Sequence, residues 1–190
     1  MLATVYTELA ARLAALAPLP EGGAGGGNDL PIIKWIDLYN AQPEFLEQRE
    51  SFDFPAVFVE FAAINWTNIA HPAQRGEASI RLHVVQWSLA STYNGSEHQA
   101  DALQRLRLLQ QLHHHLHGWA GTHHGPLIRT ATDSDTRHDA VTVDVLTYNS
   151  LFYDCPPEQA KHYIAADLHL LGEIAPQVST RPAPANDGPG

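Results

Sequence analysis

Histidine is the residue type in this chain with the most chemistry to offer. There are twelve, and six of them fall in His113-His114-His115-Leu116-His117 and His123-His124. On a helix, positions 113 and 117 lie one turn apart on the same face, so two imidazoles there could share a metal ion. A complete site would need a third ligand, from His123, His124 or an acid between Asp133 and Asp139. Catalysis would need a general base too, and no glutamate stands between the two histidines as it does in zinc proteases. The competing reading is a solvated helix end, where imidazolium suits the negative pole of the helix dipole. His113 and His117 are the metal candidates, and the expectation is that no metal, cofactor or catalytic residue is required.

Three other motifs carry less. Asp133-Ser-Asp135-Thr-Arg137-His138-Asp139 has the acid spacing of a calcium loop, but the glycine required at its sharp turn is His138, and Asp144 stands where the closing glutamate belongs. It reads as a solvated hairpin turn. Cys155 precedes Pro156-Pro157 with no nucleophile motif around it. The run Gly22-Gly-Ala-Gly-Gly-Gly27 lacks the Gly-Lys-Ser/Thr ending of a phosphate loop and reads as a flexible linker.

The chain must then be asked what could position such groups. Its 190 residues fit one domain with a possible tail, and 44% hydrophobic residues suffice for a core. Net charge is −10, and Lys34 and Lys161 are the only lysines, so no basic stripe suits nucleic acid or an anionic membrane. A single cysteine excludes an intramolecular disulfide and fits a reducing compartment. No stretch reaches the length of a transmembrane helix. Leu13 to Ala17 is apolar, but Glu8 and Arg12 interrupt the run and no basic segment precedes it, so it reads as the first helix of a cytosolic protein.

The predicted elements give an α/β (α+β) domain over 1–156, with a mixed or antiparallel sheet of four to five strands. An N-terminal helix carries Val5, Leu9, Leu13 and Leu16 on one stripe. A short strand or turn around Trp35 and a short helix between Pro43 and Ser51 follow. Phe54 to Phe61 is a strand, and Glu77 to Leu89 is the central one. In the latter Ile80, Leu82 and Val84 alternate with polar residues until Val85, Trp87 and Leu89 shift the phase. A bulge or burial of both faces would explain the shift. Glu97 to His117 is the long helix, capped by Ser96, closed by Gly118, with Ala102, Leu106, Leu109, Leu112 and Leu116 expected on the sheet. Pro126 to Thr132 and Ala140 to Phe152 complete the strands. A helix is expected over 157–174, and a Pro/Gly-rich extended tail over 175–190.

Between the two strands ending at Phe61 and beginning at Glu77, residues 62–76 read as a loop too long for a simple hairpin. It carries Trp66 and Ile69 beside Asn65, Asn68, His71 and Arg75, a mixture suited to an interface centre and rim. These six are the candidate contact residues.

The block from Phe54-Pro-Ala-Val-Phe-Val-Glu60 through Ile80-Arg-Leu-His-Val-Val-Gln-Trp87-Ser88 to Ala100-x-Ala102-Leu103, Leu108-Leu109 and Leu116-His117-Gly118-Trp119 resembles the tail-terminator, or tail-completion, proteins of long-tailed phages. The likeness covers roughly residues 2–153 and is one of element order, not of invariant residues. It implies a virion protein, assembled in the host cytoplasm, that forms a six-membered ring on the tail tube and offers a docking face to the head or neck. Its implied partners are other copies of itself, the tail-tube protein and a head-proximal neck or connector protein. DNA would pass through the channel without specific binding, and no membrane is involved. The alternatives are another neck ring, such as a stopper or connector, or a metal-binding protein or enzyme built on the histidines.

Overall fold

The computed structural model describes residues 1–16, 33–46, 51–70, 72–89, 91–135, 137–138 and 140–155. All but the last belong to one unit, Met1–Asp154; Cys155 opens a second, Cys155–Gly190. The glycine linker at 22–27, the helix expected at 157–174 and the tail at 175–190 lie outside the described residues.

Apolar residues spaced by four begin the chain. Val5, Leu9 and Leu13 are buried along α1, Leu2–Ala14, with Leu16 packed beside them. Five strands follow: β1, Trp35–Leu38; β2, Ala56–Ala70; β3, Ala73–Trp87; β4, Ile128–Asp135; and β5, Val141–Asp154. The segment expected as a short helix after Pro43 is a 3-10 helix, Gln42–Phe45. The sheet order is β1-β2-β3-β5-β4, with β1 parallel to β2 and every other pair antiparallel. A mixed five-stranded sheet with an N-terminal and a central helix is therefore an α+β fold, as the element order predicts.

The phase shift in β3 is burial of both faces and not a bulge. Val84 and Val85 are both fully buried, and β3 pairs without interruption with β5 from Gln74 to Trp87. One face carries the main core: Val57, Val59, Ile80, Leu82, Val84, Leu146 and Tyr148 meet Val5, Leu9 and Leu13 of α1. The opposite face has a smaller core of Phe52, Ala56, Phe58, Val85, Val141 and Val143 at one end only. Where a sheet is covered on both sides, its strands switch from alternating to continuous apolar sequence, as β3 does at Val84 and Val85.

The long helix is α2, Gln99–Leu116. Its buried stripe is Leu108, Gln111, Leu112 and Leu116, whereas Leu106, expected on the sheet, is 56% exposed. The spacing of four from Leu108 to Leu116 wins: these leucines join the main core, while Leu106 lines a surface depression with Trp87. Ser96 does not cap: its hydroxyl donates to the Ser91 carbonyl at 3.2 Å, and the N-cap position is His98. No side chain caps α2; Gln99, its first residue, instead braces the preceding turn, its Oε1 accepting from the Gly95 N–H at 2.8 Å and its Nε2 donating to Asn94 Oδ1 at 2.8 Å. Gly118, at φ 81°, closes the helix as predicted, since the left-handed residue after a helix carries no Cβ penalty in glycine.

Polar clasps hold the helices in place. Arg105 of α2 grips Asp144 of β5 with two bonds of 2.6 and 2.7 Å, and Ser134 donates to the same carboxylate at 2.6 Å. Arg12 donates to the His115 carbonyl at 2.9 Å while His115 Nε2 meets the Arg12 carbonyl at 2.7 Å, so Nε2 carries the proton. Glu8 accepts from both the backbone N–H and the hydroxyl of Thr122, and the hydroxyl bond holds its carboxyl below the ordinary range.

Candidate functional site

The expected loop at 62–76 is strand. β2 and β3 pair from Ala56↔Val85 to Ala70↔Ala73, so residues 71 and 72 alone join them. The extra length is sheet, built from fifteen residues on each side and about 45 Å long at the usual rise per residue. Sequence reading failed here because Asn65, Thr67 and Asn68 are turn-prone in isolation, while β5 on the far side of β3 supplies a full ladder out to Gln74↔Asp154.

That correction redistributes the six contact candidates. Trp66 faces the helix side, opposite Gly76. A Cβ on Gly76 would lie 2.9 Å from two Trp66 ring atoms and 2.7 Å from Ile64 Cγ2, so the indole lies flat across the glycine. Trp66 is still 38% exposed and Ile69 57% exposed. Asn68 shares that side, and its Oδ1 accepts from Gln74 Nε2 at 2.9 Å. Asn65 and Arg75 project from the opposite side of the sheet, paired with Glu77 and Thr67. His71 lies outside the described residues. The hairpin therefore presents Trp66 and Ile69 near its tip, and Asn65 borders a groove of about 590 Å³ with Glu77, Ser79, Asn149, Leu151 and Tyr153.

A second apolar surface sits at the hairpin's base, and sequence reading missed it. Trp87 is 62% exposed and lines one depression with Leu103 and Leu106 of α2. The signal was present as surplus: α2 carries leucines at 103, 106, 108, 109, 112 and 116, more than one stripe can bury.

The histidines do not converge. His113 and His117 rings lie 4.7 Å apart, but the Arg129 N–H donates to His117 Nδ1 at 3.3 Å. His113 is half-buried, and burial, with Arg129, His117 and His114 nearby, keeps its pKa below the ordinary value. The picture of a solvated helix end fits His114 and His117; His115 belongs to the Arg12 clasp, and His124 is buried against Trp119. Among the described residues no group of three His, Cys, Asp or Glu side chains is placed to hold a metal.

A different histidine organises the partly open face. The His83 ring stacks on Tyr39 at 3.8 Å with planes 7° apart, and its Nε2 lies 2.8 Å from Glu60. Burial lowers its pKa although Glu60 opposes the shift. Beside it, Arg137 forks onto Asp135 and holds that carboxyl well below the usual range. Together these residues form a polar cover over the sheet.

What fold and surface define is a mixed-sheet α+β protein whose exposed apolar groups include Trp66 and Ile69 near the tip of one long hairpin and Trp87 with Leu103 and Leu106 at its base. No protein-family model matches the chain, and no curated protein matches it either. No helix of the described residues is long and apolar enough to cross a membrane.

Proposed function

We propose that the protein is a structural ring component of a phage tail, a terminator or completion ring that caps the tail tube and joins it to the head or neck. The observation that supports this reading is the exposure of apolar groups at opposite ends of the hairpin, Trp66 and Ile69 near the tip and Trp87 with Leu103 and Leu106 at the base. A ring stacked between a tube and a neck needs two separate docking faces, and a monomer exposes apolar clusters of this kind at a cost that assembly removes. The resemblance in element order points to the same class, with a hexamer as the assembly, virion as the location and the tube and neck proteins as partners. A net charge of −10 suits a channel through which DNA slides without being held.

Light scattering over a range of concentrations tests the reading. The untagged protein is expected to run as a multiple of the subunit mass. Trp66→Ala is expected to weaken docking on the tube or neck ring by about 10- to 100-fold, read by co-sedimentation, because only the exposed part of the indole remains to be buried. The melting temperature of the subunit should change little. A protein that stays monomeric at every concentration would sink the proposal, and a collapsed melting temperature would make Trp66 a support of the fold instead.

A further inference from the structure

We propose that neighbouring copies in the ring are joined by sheet extension, the free edge of β2 in one copy pairing with the β4 edge of the next. This rests on the ring reading and names its lateral contact.

β1 covers only Ala56–Val59 of β2. From Phe61 to Ala70 the outer side of β2 has no strand partner among the described residues. That edge reads Phe-Ala-Ala-Ile-Asn-Trp-Thr-Asn-Ile-Ala and contains neither a charged residue nor a proline. Proteins whose edges stay free blunt them with charge, proline or brevity, because unpaired N–H and C=O groups template another chain. The ten residues lack charge, proline and brevity, and between the register shifts at Phe61/Ala63 and Asn68/Ala70, which are themselves a blunting device, Ala63–Asn68 runs in unbroken register as an edge open to pairing.

The backbone polarity can be read from the bonds. The Tyr39 N–H donates to the Val59 carbonyl at 2.9 Å, so Val59 points away from β3. Alternation, carried across the register shift between Phe61 and Ala63, turns the N–H and C=O of Ile64, Trp66 and Asn68 outward too. At the opposite edge the Arg129 N–H points out to His117. After the shift between Arg129 and Ala131, the same alternation leaves Thr132 and Ser134 facing out.

Three possible pairings follow, and chemistry chooses among them. Joining β4 to β4 sets Asp133 and Asp135 against the same acids of the second copy. Joining β2 to β2 closes at a dimer and leaves β4 open. Joining β2 to β4 consumes both edges and brings an uncharged strand to the acidic one. The directions agree: β4 runs opposite to β2 within the chain, and a rotation about an axis along the strands preserves that, giving an antiparallel pair. Such a head-to-tail contact is the kind that generates rings. By composition the segments 18–27 and 175–190 suit the β2 edge poorly, being rich in glycine and in prolines that have no N–H to give.

Asn68→Pro and Thr132→Pro each remove one outward N–H at an edge, where proline is tolerated. Each variant alone is expected to run as a monomer in light scattering, with the circular dichroism of the wild type. Mixed together, they should recover a species of two chains, because the intact β4 edge of the first meets the intact β2 edge of the second. A variant that keeps the wild-type mass, a Thr132→Pro protein that is already a dimer, or a mixture that recovers nothing would overturn the edge pairing while leaving the ring intact. A monomeric wild type would overturn the ring itself. As a check free of substitutions, amide hydrogen exchange in residues 61–70 of the wild type should be slow in the assembly and fast after dilution to subunits. Fast exchange in both states would also refute the pairing.

Discussion

Asp144 shows how a single side chain settles the position of a helix. It is 1% exposed, accepts from both Arg105 and Ser134, and is the group through which α2 is fastened to β5. Removing one partner of such a pair leaves the other charge uncompensated, and Arg105 can relieve part of that because it is partly exposed. Asp144→Ala is expected to destabilise the subunit by about 3 kcal/mol, read from urea unfolding. His83 acts through protonation. It faces Tyr39, Glu60, Arg81 and Asp135, and burial lowers its folded pKa, as it does for His113 beside Arg129, His114 and His117. The unfolded chain therefore takes up protons first, so the stability these two groups contribute is present above about pH 6.5 and is lost as pH falls below it. Urea midpoints should decline between pH 7 and 5.5, and His83→Gln with His113→Gln should flatten the decline. An unchanged slope would mean that other groups carry it.

At the scale of elements, the β2–β3 hairpin depends on a glycine. Gly76 leaves the space that the Trp66 indole fills, so the aromatic ring covers its cross-strand partner instead of standing free. Gly76→Val would force Trp66 and Ile64 aside, at an expected loss of about 1–3 kcal/mol by denaturant unfolding. Lifting the indole should also alter docking, which Trp66→Ala tests from the other side of the contact. For α2, element and packing disagree instructively. Its sequence offers two leucine stripes, and the sheet accepts Leu108, Leu112 and Leu116 while leaving Leu103 and Leu106 to solvent.

Across the whole molecule, those rejected leucines become the base surface with Trp87. Leu106→Glu should leave subunit stability within about 0.5 kcal/mol, since the side chain is already exposed. If the two ends of the hairpin dock different rings, this variant should lose one axial partner and keep its lateral assembly, a combination that native mass and co-sedimentation with the tube or neck protein would reveal. Loss of both together would mean that the base surface belongs to the lateral contact.

Local pattern alone determined the existence of α1 and α2, the buried stripe of α1, the closing turn at Gly118 and the α+β class, because each follows from periodicities of a few residues. It also marked Trp66 and Ile69 as apolar groups out of place. Only tertiary structure decided that residues 62–76 are strand: β2 pairs with β3 out to Ala70↔Ala73, and that hairpin is backed by β5, more than seventy residues beyond Gln74–Gly76, with which β3 pairs from Gln74 onward. The same holds for the double burial of Val84 and Val85, which depends on Phe52 and Phe58 arriving from another segment to cover the second face. The histidine run is the converse case: spacing put His113 and His117 within reach of each other, but what each ring touches is set by Arg12, Arg129 and the sheet beneath them. A short-range pattern specifies which residues prefer burial; which neighbours bury them is a long-range fact that no window of sequence contains.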